Sequence, residues 1–109
     1  MINLAKMLKF VYITVGSKTE ARQIAKALLD ERLAACVNII PGVDSMFWWE
    51  GKIQEEAEVV MIAKTKASLV QDLIDTVEEL HSYDVPCIEV LNVEIAGAEY
   101  ESWVEEETR

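Results

Sequence analysis

Basic residues, histidine and cysteine are all scarce in this chain, and each scarcity closes off a class of function. Lys and Arg number 10 against 20 Asp and Glu, a net charge of −10 over 109 residues with pI near 4.5. So acidic a surface repels phosphate backbones and anionic lipid, which excludes nucleic acid and membrane surfaces as partners. It also raises the local concentration of cations. No apolar run approaches the ~20 residues of a membrane helix. Residues 10–15, after Lys6 and Lys9, have neither the length nor the cleavage pattern of a signal peptide. Cys36 and Cys87 form no CxxC pair, so neither a disulfide framework nor a zinc ribbon is indicated. Unpaired thiols fit a reducing cytoplasm. The single histidine, His81, supports no Ser-His-Asp or Cys-His arrangement, and the chain is read as a non-enzyme. Aromatics are 7% of residues and hydrophobics 51%, so the core of this 12.3 kDa chain is aliphatic. The length allows one domain, residues 1–109.

What is present divides cleanly. Leu8–Val15, apolar and rich in β-branched and aromatic residues, reads as a strand ended by Gly16. Ser17 with Glu20 has capping-box spacing, and Ala21, Ile24, Ala25, Leu28 and Leu29 then recur at helical spacing to about Ala34. Residues 36–40 form a second strand, stopped or bent at Pro41-Gly42. The extended chain then resumes with Phe47, Trp48 and Trp49. Glu50-Gly51-Lys52 predicts a tight hairpin turn. Residues 59–63 are apolar at every position, the mark of a strand covered on both faces. Ser68 with Gln71 predicts a second capping box, opening a helix whose stripe is Leu69, Leu73, Val77 and Leu80. Residues 81–84 break that helix, residues 87–95 form the last long strand, and a short acidic helix follows Gly97. The order β-α-β-β-α-β, with two right-handed βαβ halves, defines an α+β ferredoxin-like antiparallel sheet with an added C-terminal helix.

That fold hosts many activities. An RNA-recognition module needs basic charge and aromatics on its central strands, and residues 59–63 carry none. A heavy-metal chaperone needs a cysteine pair after the first strand, where this chain has Gly16-Ser17-Lys18. A small phosphatase needs an arginine in the same loop, and the first is Arg22 inside the helix.

Four stretches read together discriminate further. RLAACVNIIPG at residues 32–42 leads to WWEGKI at 48–53, MIAKT follows at 61–65, and HSYDVP stands at 81–86. In these elements and their intervals the chain resembles the CutA family, the divalent-cation-tolerance proteins, from Leu8 to Glu106, with Tyr100 and Trp103 matching the terminal helix. The resemblance implies a ferredoxin-like subunit in a cytoplasmic homotrimer. It implies weak binding of copper or other divalent metals, no firmly held cofactor and no established reaction. Architectural likeness to the trimeric PII signal proteins gives a second reading, a structural or signalling trimer holding a small metabolite or protein in its intersubunit clefts. The cysteine ligand some members carry on the first strand is matched here by Ile13, and the paired histidines by Leu80 and His81. Ser82 and Cys87 also depart from the pattern, so His81 alone carries over as a metal ligand.

Each candidate residue has two readings. His81 is either a metal ligand with Asp84 and Cys87 nearby, or a helix C-cap bonding the last carbonyls. Cys87 is a soft ligand or a small core residue. Among Phe47, Trp48 and Trp49, alternation puts at least one large ring off the subunit's own core, as an interface between copies or a stacking platform. Trp49 is the ring expected to matter for assembly. Lys52 and Lys64 hold an anionic effector or are plain surface lysines. The glutamates after Gly97 form a solvated helix face.

Overall fold

A computed structural model describes residues 7–109. The elements run β1 (Leu8–Val15), α1 (Lys18–Asp30), β2 (Cys36–Trp49), β3 (Lys52–Lys66), α2 (Val70–Leu80), β4 (Ile88–Asn92) and α3 (Ala98–Glu107). The sheet has the order β2-β3-β1-β4 with every neighbouring pair antiparallel. This is the ferredoxin-like arrangement anticipated from the element order. Alternate residues of the inner strands, Val11, Ile13, Met61 and Ala63, meet Ile24 and Leu28 of α1 and Leu73 and Val77 of α2 in one aliphatic cluster. Both helices therefore cover the same face. Of residues 59–63, the odd positions join that cluster, while Val60 is buried and Ile62 half-buried on the face without α1 or α2.

Several boundaries differ from the sequence reading, each for a local reason. α1 ends at Asp30 rather than near Ala34, because Arg32 adopts φ 57 and closes a Schellman motif. There Arg32 N–H donates to Leu29 O at 3.0 Å and Leu33 N–H to Leu28 O at 2.9 Å. Leu33 at the outer position is fully buried, as is Leu28, giving the motif its apolar anchor. The second capping box does not form. Ser68 lies within a 3₁₀ turn, Ala67–Leu69, and Gln71 Nε2 donates instead to Asp75 Oδ1. β4 covers Ile88–Asn92 rather than the expected 87–95, because among the described residues it pairs with β1 alone, from Ile13↔Ile88 to Lys9↔Asn92.

Pro41 and Gly42 bend the second strand without ending it. Ile40 pairs with Val60 and Val43 with Glu58, so β2 carries one residue more than β3 across that step, with Gly42 at φ 79. The extra residue reverses the alternation. Val37 and Ile39 pack against the helix-side core, whereas Phe47 and Trp49 emerge on the other face, beside Glu56 and Glu58. A tight turn does close the hairpin, but in the two residues Glu50 at φ 50 and Gly51 at φ 78, with Lys52 already paired to Trp49 in the strand. The long hairpin gives the molecule its 48 Å long axis, against 26 and 22 Å across.

Candidate functional site

The C-terminal end of β1 and the segment after α2 meet in a polar network built around His81. The residue caps α2, its N–H donating to Val77 O, but its ring does not turn back to the helix carbonyls. Instead Nε2 lies 2.7 Å from Thr14 O, and Tyr83 N–H donates to Nδ1 at 3.0 Å. One partner is an acceptor and the other a donor, so the ring is assigned as the Nε2–H tautomer. Thr14 O needs this donor because pairing of β1 with β4 ends one residue earlier, at Ile13↔Ile88.

Glu20 braces the same segment. Ser17 Oγ accepts from Glu20 N–H at 3.1 Å, which is half of the expected capping box. The Glu20 carboxylate does not complete it. It accepts from Ser82 N–H and Ser82 Oγ–H, both at 2.9 Å, and stands 3.6 Å from His81 Nδ1. Tyr83 tilts against the imidazole with ring centroids 4.7 Å apart, and its hydroxyl donates to Glu58 Oε2 at 2.9 Å. Burial, followed by the Glu58 hydrogen bond and the charges of Glu58, Glu20 and Glu56, pushes the Tyr83 hydroxyl up to about 12.

Beyond this network opens a cleft of ≈ 680 Å³ between the hairpin and the segment 82–87. Phe47 and Trp49 form one wall, Glu56 and Glu58 lie beside them, and Tyr83 and Asp84 stand opposite. Cys87 also reaches the cleft, with Sγ–H donating to Glu89 Oε1 at 3.2 Å. Burial, with the Glu89 carboxylate adding to it, pushes that thiol up, so it stays protonated at neutral pH.

His81, Asp84 and Cys87 thus lie along one segment but do not converge. Both imidazole nitrogens are engaged, and a metal on either would have to displace a hydrogen bond. Among the described residues no three His, Cys, Asp or Glu side chains are grouped as a metal would require. The residues in place do not fit a coordination site built on His81. Lys64, considered for an anionic effector, has its ammonium 5.2 Å from the Phe10 ring and 5.5 Å from the Tyr100 ring. Thr14, Glu20 and Glu58 did not stand out in the sequence. Glu20 carried a helix-capping signal and Glu58 closed an acidic stretch, and only the fold brings them to the residues after His81.

The same fold recurs in known proteins. The family model for the CutA1 divalent ion tolerance protein matches residues 9–107. The chain belongs to this family of divalent-cation-tolerance proteins. The structure of the divalent cation tolerance protein from Thermus thermophilus superposes with a TM-score of 0.92 at 44% identity, covering 94% of this chain and 100% of that one. A periplasmic divalent cation tolerance protein CutA from Archaeoglobus fulgidus gives 0.90 at 46% identity, covering 93% and 98%. A chloroplastic CutA 1 protein of Oryza sativa is 42% identical over 91% of this chain, and the chain spans 56% of that relative's length.

Proposed function

We propose that the protein is a cytoplasmic homotrimer that binds divalent cations, copper among them, weakly and through surface carboxylates, and that it catalyses no reaction. Charge carries the reading. Each chain has a net charge of −10, so three copies draw cations to their surface without a dedicated ligand set. His81 acts here as a strut, since both of its ring nitrogens hold the fold together. The polar groups at the cleft support binding over catalysis. The Tyr83 hydroxyl, at about 12, and the protonated Cys87 thiol are poor bases and nucleophiles near pH 7.

Assembly is supported by what one chain leaves uncovered. On the hairpin face opposite Trp49, Trp48 is 73% exposed beside its cross-strand partner Ile53, with Met46 at 67%. Such a patch marks a contact surface, and both sheet edges, β2 and β4, are unpaired among the described residues. Trp48, more than Trp49, is therefore the ring for assembly; the number of copies, three, follows the family resemblance. Light scattering should give three times the 12.3 kDa chain mass, and Trp48→Asp should reduce it. Calorimetry with Cu²⁺ at ~150 mM salt should show micromolar or weaker binding that salt suppresses further. A monomer mass would overturn the assembly, and a tight stoichiometric site lost in His81→Ala would overturn the surface mode of binding.

A further inference from the structure

Nδ1 of His81 faces two groups that no single protonation state of the ring can serve. Tyr83 N–H lies 3.0 Å away and needs an acceptor there. Glu20 Oε2 lies 3.6 Å away and, being an acceptor itself, bonds that nitrogen only when it carries a proton. In the neutral ring Nε2–H donates to Thr14 O and Nδ1 takes Tyr83 N–H. Nδ1 and the carboxylate oxygen then stand side by side with no hydrogen between them. In the imidazolium both nitrogens donate. Nε2–H keeps Thr14 O, so that bond is a pivot common to both states. Nδ1–H opposes Tyr83 N–H, donor against donor, and has Glu20 as the acceptor within reach.

The surroundings of the ring fit both states. The ring is 0% exposed, so a charge on it requires a counter-charge beside it. From α1, Glu20 supplies one, with its side chain 16% exposed. That carboxylate bonds the two neutral donors of Ser82, and each of its oxygens keeps room for a further hydrogen. From β3, Glu58 lies behind the Tyr83 hydroxyl, 2.9 Å from it. β1 and α2 present only carbonyls to this residue, Thr14 O to the ring and Val77 O to the backbone. Among the described residues no Lys or Arg pairs with Glu20 or Glu58. Ser82 is exposed, which brings water to the Glu20 side of the ring.

We propose that His81 is a proton-operated switch on the segment 82–84. Neutral, it holds Tyr83 N–H; charged, it releases that donor, pairs with Glu20 and passes the hold on the segment from the ring to α1. Tyr83 is also the segment's link to β3 through Glu58, so freeing its N–H loosens that link. Two discrete arrangements of one nitrogen, selected by one proton, are what a switch of this kind requires.

The test is an NMR titration of the ¹⁵N-labelled protein, treated with a chelator so that no metal occupies the ring. Histidine ordinarily changes charge between about pH 5 and 8, and that is the range to cover. The Nδ1 resonance should pass from its bare to its protonated position, and the Tyr83 amide signal should move with the same midpoint. Solvent exchange of Tyr83 N–H, corrected for the ordinary effect of pH, should rise about five- to tenfold across the transition, the worth of one hydrogen bond. His81→Gln keeps a donor and an acceptor but takes up no proton in this range, and should show neither change. Glu20→Gln should move the transition to lower pH, and carries the test if His81→Gln does not fold. Protonation of the ring with the Tyr83 amide unmoved, or the same rise in His81→Gln, would overturn the proposal. So would a transition unaltered in Glu20→Gln, a ring that stays neutral throughout, or a rise shared by the amides of β1 and β3, which would be general loosening.

Discussion

Replacing His81 with leucine separates a strut from a ligand. The imidazole is 0% exposed and joins β1 to the segment after α2 through Thr14 O at 2.7 Å and Tyr83 N–H at 3.0 Å. Leucine fills much of the same space but makes neither bond. A buried polar group stranded without a partner costs about 1–3 kcal/mol. Thr14 O sits in the buried bond and suffers most, while Tyr83 N–H lies in a partly buried one and recovers some hydration. The expected loss is about 2–4 kcal/mol. His81→Gln, which offers both a donor and an acceptor, should restore part of it. Urea unfolding at one fixed protein concentration measures both variants, because assembly makes apparent stability depend on concentration. A loss under ~0.5 kcal/mol, the size of an ordinary surface substitution, would refute the strut. Copper calorimetry on the same variants completes the test. A strut loses stability while copper affinity changes at most a few-fold, and a ligand does the reverse.

The Tyr83 hydroxyl, at about 12 when folded and 10.0 when free, should ionise well above pH 10 in an absorbance titration, and Glu58→Gln should lower it. Its contribution to stability is full below pH 10 and is lost as pH rises through 12, because the unfolded chain gives up the proton first; Tyr83→Phe should flatten that decline. Cys87 should react with iodoacetamide more slowly than a free thiol at neutral pH, and Glu89→Gln should speed it; equal rates in the two proteins would show that the carboxylate has no part. Gly42→Val, forced to φ 79, should lower unfolding free energy by about 1–2 kcal/mol, and an unchanged urea midpoint would remove the bulge from the explanation of the hairpin's faces.

The element order could be read without the fold, because helical spacing in Ala21, Ile24, Ala25 and Leu28 and the apolar run of residues 59–63 are local properties of the chain. The hairpin turn was legible too, since Gly51 supplies the positive φ a tight turn needs, whereas the φ of 50 at Glu50 appears only in the structure. The tertiary structure decided which face each aromatic ring takes. Alternation counts positions from a reference, and one extra residue at Pro41-Gly42 reverses the count for Phe47, Trp48 and Trp49. It decided the fate of Glu20 as well. A carboxylate three residues after Ser17 has a local partner on offer, yet it binds Ser82, 62 residues away. His81 shows the same limit. Its position at the end of α2 could be read from the sequence, but the carbonyl of Thr14 is 67 residues distant, and only the packing of β1 beside β4 leaves that carbonyl in need of a donor.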